Sequence, residues 1–437
     1  MYINVIGAGL AGCECAYILA KNGCKVKLYE MKPNKKSEAH KTDYFAELVC
    51  SNSLKSEAIT NACGLLKKEM QILGSLVIEA AYSSKVPAGQ ALAVDRDKFS
   101  QYITAKIKEN ENIEVINKEI ESLDGLEGIT VIATGPLTTS KFFENIQKLV
   151  GQNSLYFYDA AAPIVDAESI NMDIAYEKDR YGDEVGGDYL NLPMNKEQYL
   201  VLYNELINAK IAERHEFDKL TLFEGCMPIE QMAKRGEKTL LFGPLKPVGL
   251  NNPKTGEKNY AVVQLRAENI EKTMYNLVGF QTSLIFKEQE RVFKMIPGLE
   301  NAIFLRYGVM HKNTYINSSV LLDNNFCMKE NNNIYFAGQI SGVEGYIESS
   351  ASGMMVAYSI LKRLKCKKIC FPDTTMLGSL AKYISSYNTN FQPMNANFGI
   401  IKPLNNNEKI RDKKLKYEMY AKRAIDDIEK FKVEELD

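Results

Sequence analysis

The chain of 437 residues is long enough for two or three domains, and its hydrophobic fraction of 45% is that of an ordinary globular protein. Its formal net charge of −1 excludes a globally basic nucleic-acid binder, although a local basic face would be enough for RNA. No apolar run approaches membrane-spanning length, and the nine cysteines are odd in number and scattered. We therefore expect a cytoplasmic protein without a leader, with reduced thiols, no membrane anchor and no metal site.

The N-terminal residues predict a βαβ unit that binds a dinucleotide. A short apolar strand runs directly into the turn Gly7-Ala8-Gly9-Leu10-Ala11-Gly12. In such a turn the first glycine permits the tight bend, the second lets the backbone approach a pyrophosphate, and the third lets the following helix pack on the strand. A second strand at residues 25–29 ends at Glu30, whose carboxylate suits the hydroxyls of an unphosphorylated ribose.

The next hundred residues predict a functional loop followed by alternating helices and strands. Residues 31–65 are expected to form the loop, which leads into a helix through residue 73 with Ser53 or Asn61 as its cap. A second helix is predicted at 99–107, and strands at 113–116 and 129–133. The last strand runs into Thr134 and Gly135, a break of the kind that flavoproteins place beside the dinucleotide.

Residues 166–299 differ in composition and predict an inserted domain. Their strands, such as residues 260–265, have the pattern of antiparallel hairpins. The strand, glycine turn and helix pattern of the N-terminal residues returns at residues 333–337. This strand leads into Gly338, Gln339 and a helix at 349–361 rich in small residues. We therefore expect an α/β fold: a discontinuous Rossmann-like FAD-binding domain over 1–165 and 300–437, and an inserted α+β substrate domain over 166–299. From residue 409 the charge pattern predicts a terminal helix.

Two cysteines are candidates for chemistry. Cys50 precedes a polar Ser-Asn-Ser run, so it is either a buried small side chain or a thiol at a helix entrance, where the dipole would lower its pKa. Cys226 lies on a tight element between Gly225 and Pro228. Taken alone it is more often a turn cysteine without a role than a nucleophile with a carboxylate nearby.

The remaining candidates have structural alternatives too. His311, with Lys312 beside it, is either a hydrogen-bonded structural histidine or a contact to a flavin or an anionic cosubstrate. Tyr346 is either a core aromatic or a ring that stacks on an isoalloxazine or a base. We expect three other cations, and the basic residues of the terminal helix, to be solvated surface charges; the three are Lys246, Lys254 and Arg266.

Nine sequence blocks together resemble the TrmFO family, the folate- and FAD-dependent RNA uracil-5-methyltransferases. They are VIGAGLAG (5–12), ELVCSNSL (47–54), VPAGQALAVDR (86–96), FEGCMPIE (223–230), GPLKPVGL (243–250), YAVVQLR (260–266), VMHKNTYIN (309–317), AGQISGVEGY (337–346) and FQPMNANF (391–398). The blocks spread over nearly the whole chain, and several are far more specific than the dinucleotide turn. Two positions depart from the family pattern: Leu192 stands for an expected cysteine and Gln90 for a usual glycine.

The resemblance implies the chemistry and the partners. Methylenetetrahydrofolate would supply the one-carbon unit, FAD would carry it and NAD(P)H would be the final reductant. The cysteine matching Cys226 would add to C6 of the uracil, and the one matching Cys50 would transfer a proton at C5 or serve as a second thiol. Tyr346 would cover the flavin or stack on folate, with His311 near the same pocket.

The RNA target stays open between two classes. The family usually methylates the T-loop uridine of tRNA, whereas similar enzymes of AT-rich wall-less bacteria act on 23S rRNA. The lack of tryptophan and the abundance of lysine and asparagine fit that lineage. Three further functions fit parts of the sequence pattern: those of a GidA-like flavoprotein acting on the tRNA wobble uridine, of a small-molecule FAD oxidoreductase and of a non-catalytic RNA-binding flavoprotein.

Overall fold

The computed structural model describes residues 2–37, 39–151, 155–160, 162–180, 187–212, 227–256, 258–389, 391–404, 410 and 412–436. The strands are β1 Tyr2–Ile6, β2 Lys25–Glu30, β3 Ser53–Ser56, β4 Lys85–Val86, β5 Ala91–Val94, β6 Ile113–Asn117, β7 Thr130–Ile132, β8 Leu155–Ala160, β9 Ile164–Asp166, β10 Tyr176–Glu177, β11 Tyr189–Met194, β12 Ala261–Ala267, β13 Met274–Leu277, β14 Phe304–Arg306, β15 Met310–Tyr315, β16 Cys327–Met328 and β17 Asn331–Phe336. The helices are α1 Leu10–Lys21, α2 Ala62–Ile72, α3 Leu76–Ser83, α4 Arg96–Lys108, α5 Ser140–Val150, α6 Lys196–Asn208, α7 Ile229–Lys234, α8 Phe286–Phe293, α9 Ser318–Leu321, α10 Tyr346–Leu364, α11 Met376–Ser385 and α12 Lys413–Phe431. Within these residues, no helix combines the length and the apolar character needed to cross a bilayer.

A six-stranded sheet with the order β16-β17-β7-β1-β2-β6 carries the dinucleotide turn. The five strands from β17 to β6 are parallel to one another, and only the edge strand β16 pairs antiparallel. The chain runs from β1 outward to β2 and β6, then returns to the other side of β1 with β7 and β17. The carboxyl ends of β1 and β7 therefore flank a topological switch point, where open α/β sheets bind ligands.

Helix α1 packs at very close range on the turn after β1, and α10 packs at very close range on α1. A Cβ atom at Gly12 would overlap the carbonyl oxygen of Gly7, and one at Gly353 would overlap the carbonyl oxygen of Ala11. Glycine at these two positions therefore sets how near α1 lies to β1, and α10 to α1. The same apolar core includes buried residues of both helices and of the central strands.

A second, fully antiparallel sheet has the order β10-β11-β12-β13-β9-β14 and a core of its own. The sheet includes β9 and β14, so it takes in residues on both sides of the bounds 166 and 299 predicted for the insertion. The division of the chain into two domains stays a prediction. Two smaller sheets, β3-β5-β4 and β15-β8, complete the strands described.

The elements predicted near the N-terminus are present, with one correction at the helix cap. Asn61 caps α2, because its side-chain oxygen accepts a hydrogen bond from Cys63 N at 3.0 Å. Ser53, the alternative cap, instead begins β3, where it pairs with Ala93 of β5. Pairing with a distant strand therefore decides the conformation at Ser53, and the local sequence could not show it.

A buried carboxylate joins α2 to α11. Glu69 is fully buried, and its two oxygens accept hydrogen bonds from Met376 N at 2.8 Å and Leu377 N at 2.9 Å, in the first turn of α11. Burial raises the pKa of Glu69 to about 8, although the two hydrogen bonds act in the opposite direction. The folded state therefore holds this proton more tightly than the unfolded chain does.

The free energy of unfolding is expected to decrease as pH rises, because Glu69 is buried in the folded state. A raised carboxyl pKa destabilises the folded state progressively as pH rises from the unfolded value near 4.5 through about 8. We expect the variant Glu69→Gln, which cannot ionise, to remove on the order of 2 kcal/mol of this pH dependence between pH 6 and 8.5. Denaturant unfolding of both proteins at the two pH values measures it; a difference between them that is the same at both pH values would contradict the prediction.

Candidate functional site

A cleft opens at the carboxyl edge of the parallel sheet, at the switch point beside β1. It encloses about 1140 Å³, including the part open to solvent. Eleven of the predicted cofactor-binding residues line it: Gly7, Ala8, Gly9, Leu10, Ala11, Glu30, Thr134, Gly135, Gly338, Gln339 and Tyr346. Gly12 is set back from the cleft, where it allows the close packing of α1.

The first turn of α1 presents open backbone to this cleft. Gly7 has φ of 99°, in the region that favours glycine. Gly9 is the N-cap of α1; no side chain caps it, and the first turn holds no acidic residue. No atom lies within 4 Å of the position that a Cβ of Gly9 would take. A ligand can therefore approach the N–H groups at the N-terminus of α1. Such groups donate hydrogen bonds of the kind that a pyrophosphate accepts.

Glu30 at the end of β2 fixes the shape of the same turn. This buried carboxylate accepts hydrogen bonds from Ala8 N at 2.9 Å through Oε2 and from Lys32 N at 3.0 Å through Oε1. Each oxygen keeps a second lone pair, so the carboxylate can also accept a hydrogen bond from a ribose hydroxyl. The residues of this half of the cleft therefore fit the adenosine end of a dinucleotide.

The turns after β7 and β17 form the opposite wall. Thr134 and Thr138 share a hydrogen bond of 2.6 Å between their hydroxyl oxygens. Gly338 has φ of 81°, and its N–H donates to Ser352 Oγ at 2.7 Å. Gln339 donates from its amide to Glu344. These bonds hold the backbone of both turns against the cleft.

Tyr346 connects the cleft to Cys50. Its ring lines the cleft, and its hydroxyl oxygen accepts hydrogen bonds from Cys50 N at 2.7 Å and Ser51 N at 3.1 Å. Burial, followed by the negative charge available to Cys50, raises the pKa of the phenol. Tyr346 therefore stays protonated and keeps the half-buried Cys50 next to the predicted dinucleotide site.

The expected environment of Cys50 is wrong in one respect. Cys50 does not stand at a helix entrance, because the residues after it enter β3 and the next helix begins only at Ala62. No helix dipole therefore acts on the thiol from that direction.

Three arginines hold the segment 48–52 instead. Arg96 donates to the carbonyl oxygens of Leu48 at 2.6 Å and Cys50 at 3.3 Å, and it forms an ion pair of 2.6 Å with Glu268. Arg306 donates to the carbonyl oxygen of Val49. Burial and the nearby charge of Arg96 lower the pKa of Arg306, whereas the Glu268 carboxylate acts in the opposite direction.

Arg266 is the third of these arginines, and its expected position on the surface is wrong. It is only 6% exposed, and it donates to Asn52 Oδ1 at 2.9 Å and Ser51 Oγ at 2.8 Å. Sequence reasoning also passed over Arg96 and Arg306. Of the three arginines, only Arg266 could have been recognised from the sequence, because it interrupts the apolar run of a strand. The structure shows that this strand is buried throughout.

The side chains of three predicted site residues lie outside the described part of the structure. Cys226 lies outside the described residues. His311 and Lys312 lie on β15, where they pair with Asp159 and Tyr158 of β8, but their side chains lie outside the described part. Their predicted roles stay predictions.

Removing the hydroxyl of Tyr346 is expected to loosen the Cys50 segment. In the variant Tyr346→Phe, two half-buried N–H groups lose their acceptor, which costs about 1–3 kcal/mol. Thermal unfolding should show this loss, and iodoacetamide should modify Cys50 faster, as read by peptide mass spectrometry. The matched variant Tyr383→Phe removes a hydroxyl that donates to Gln392 O at 2.8 Å and should leave the reactivity of Cys50 unchanged. Equal Cys50 reactivity in wild type and Tyr346→Phe would contradict the prediction.

Comparisons with known proteins agree with this architecture. The family described as "Glucose inhibited division protein A" matches residues 2–368. Aquifex aeolicus GidA superposes with a TM-score of 0.69 at 14% identity, covering 98% of this chain and 73% of that one, which shows a shared fold.

Two relatives are much closer in sequence. The proteins named methylenetetrahydrofolate--tRNA-(uracil-5-)-methyltransferase TrmFO of Acetivibrio thermocellus and Fusobacterium nucleatum are 58% and 57% identical to this chain. Each match covers 97% of both chains. The chain therefore belongs to the TrmFO family.

Proposed function

We propose that this protein methylates C5 of a uridine in tRNA, with methylenetetrahydrofolate as the one-carbon donor and NAD(P)H as the reductant. The observation that carries the proposal is the hydroxyl of Tyr346, which ties the Cys50 segment to the wall of the dinucleotide cleft. The names of the relatives supply the reaction and the tRNA substrate.

FAD is the dinucleotide that the proposal assigns to the cleft. The turn 7–12 and the N-terminus of α1 would hold its pyrophosphate, and Glu30 its adenosine ribose. Thr134, Gly135, Gly338 and Gln339 would hold the ribitol and flavin end. When bound, FAD supplies the redox and carbon-carrier chemistry that no side chain can provide.

The side chains proposed to act on the uracil are two thiols. The thiolate of Cys226 adds to C6 of the base, which makes C5 nucleophilic toward the one-carbon unit. Cys50 then removes the proton from C5, and elimination releases Cys226 as the methyl group is completed. The incoming carbon is at the oxidation level of formaldehyde, so two electrons from NAD(P)H balance its reduction to a methyl group. The uridine must leave its stack to reach the thiol.

The fixed position of the Cys50 segment supports this assignment. The guanidinium groups of Arg96 and Arg306 lie at the carbonyl groups of residues 48–50. The three arginines hold the segment in place from two strands and a helix, which suits a group that must act at a fixed point.

We place the target in the T-loop of tRNA, with 23S rRNA as the alternative. The names of the relatives favour tRNA, whereas the composition fits a lineage in which rRNA is methylated. A wobble-uridine enzyme of the GidA kind is disfavoured, because identities of 57–58% over nearly the whole chain far exceed the 14% shared with GidA.

One labelling experiment tests the proposal. Purified protein is incubated with methylenetetrahydrofolate labelled in the one-carbon unit, NADH or NADPH, and total RNA from a strain that lacks the enzyme. We expect label in 5-methyluridine of the tRNA fraction and dependence on a reduced nicotinamide. Label in 23S rRNA would identify that RNA as the target in place of tRNA. Unlabelled RNA, with FAD bound to the protein, would refute the proposed reaction.

A further inference from the structure

The last residue of α7 and the segment that follows it form an exposed surface of aromatic, apolar and basic side chains. Phe242 is 82% exposed and Val248 is 61% exposed, although both belong to apolar residue types. Lys234, Arg235 and Lys238 are exposed beside them in sequence. We call residues 234–248 the basic aromatic surface; its block GPLKPVGL was singled out by the sequence and has no part in the proposed chemistry.

The exposure of Phe242 is imposed by a rigid turn. Leu240 and Leu245, on either side of it, are fully buried in the core of the second sheet. The backbone between them is closed by hydrogen bonds from Gly243 N and Leu245 N to Leu240 O, at 3.1 and 2.9 Å. With both flanking leucines fixed, the ring of Phe242 cannot turn inward, so this turn presents a preorganised aromatic face to solvent.

A chain of contacts connects one end of the basic aromatic surface, at Lys246 and Val248, to the Cys50 segment. Arg180 donates to the carbonyl oxygens of Lys246 at 2.6 Å and Val248 at 3.0 Å, and to Gln264 Oε1 at 3.0 Å. Gln264 and Arg266 are two residues apart on β12 and share a face of the strand. Arg266 in turn contacts Ser51.

The surface also lies shortly after Cys226 in the sequence. Helix α7 begins at Ile229, three positions after Cys226 (229 − 226). The surface is therefore connected to the Cys50 segment by contacts, and its first residue, Lys234, follows Cys226 by eight positions in the sequence (234 − 226).

The charge of this surface is opposite in sign to that of the whole chain. Residues 234–248 hold four basic side chains and one acidic side chain, Glu237, which gives a net charge of +3 (4 − 1), whereas the chain as a whole has −1. Basic groups around an exposed aromatic ring are the combination that binds unpaired nucleic-acid bases, since the ring stacks and the cations meet the phosphates. A purely apolar protein contact would leave these charges unmatched.

We propose that the basic aromatic surface is an RNA-docking site, in which Phe242 stacks on an unpaired base near the target uridine and Lys234 and Lys238 contact phosphates. The identity of the RNA as tRNA rests on the proposed function. The site positions the RNA and takes no part in carbon transfer.

Binding of a fluorescein-labelled tRNA transcript to the full-length protein, followed by anisotropy at several salt concentrations, tests this docking site. Phe242→Ala should raise Kd about five- to hundredfold with an unchanged salt slope, and Phe242→Tyr should restore it. The double variant Lys234→Ala/Lys238→Ala should weaken binding and reduce the slope of log K against log salt by about 1–2. The controls Tyr387→Ala, 76% exposed, and Lys148→Ala, exposed on α5, should bind like wild type.

Three results would overturn the docking site: wild-type affinity in Phe242→Ala at every salt concentration, an equal loss of affinity in Tyr387→Ala, or a change from dimer to monomer in Phe242→Ala with RNA affinity intact. The last would assign the surface to a second copy of this chain. The assay requires no methyl transfer. A protein that binds tRNA through Phe242 but never methylates it would refute only the proposed function, and a methylating protein indifferent to Phe242→Ala would refute only the docking site.

Discussion

Replacing Cys226 with alanine is expected to abolish methylation while FAD stays bound. Without the thiolate that adds to C6, C5 of the uracil lacks the electron density to attack the one-carbon unit. Loss of a covalent nucleophile costs at least about a thousandfold in rate. The residues proposed to hold FAD lie on other elements, at the edge of the parallel sheet, so absorbance near 450 nm should be unchanged.

The design must separate a nucleophile from a merely necessary thiol. RNA carrying 5-fluorouridine at the target should form a covalent adduct with wild type that survives denaturing electrophoresis, and none with Cys226→Ala. Cys50→Ala should still form the adduct but fail to release methylated RNA, because its proposed task at C5 comes later. Cys370→Ala, an exposed thiol, is the matched control and should be fully active. If Cys226→Ala formed the adduct and Cys50→Ala did not, Cys50 would be the nucleophile and Cys226 would act on the proton at C5.

The cleft proposed to hold the dinucleotide was predictable because its determinants are local. The turn 7–12 needs only a strand, three glycines and a helix in immediate succession, and Glu30 follows at the end of the next strand. The same reasoning located Gly135 and Gly338, since each follows a buried strand of the same sheet. The parallel order of the strands then brings these separate turns to one edge.

The surroundings of Cys50 were not predictable, because they are assembled from distant parts of the chain. Arg266 and Arg306 meet residues 49–52 across more than two hundred positions, and only the antiparallel sheet brings them there. The error about a helix after Cys50 has the same origin. Ser-Asn-Ser is a plausible helix start in isolation, but pairing of β3 with β5 takes precedence.

Alanine at Gly9 and at Gly12 should fail in two different ways. Gly9 has φ of −76°, which alanine adopts readily, and its Cβ would meet no protein atom. The Gly9→Ala protein should therefore fold with wild-type stability. Its added methyl group would occupy the space over the N-terminus of α1 where the pyrophosphate is proposed to lie, so FAD affinity should fall about tenfold or more.

Gly12→Ala should destabilise the fold itself. Its Cβ would overlap the carbonyl oxygen of Gly7, so α1 must move away from β1, and with it the packing against α10. A cost of about 3 kcal/mol or more is expected in denaturant unfolding of the apoprotein, where Gly9→Ala should cost almost nothing. Gly9→Ala, with an ordinary φ and open space at its Cβ, controls for the substitution as such. If Gly9→Ala kept full FAD affinity by titration of the apoprotein, the pyrophosphate would not lie over this turn, because a bound phosphate there leaves no room for the methyl group.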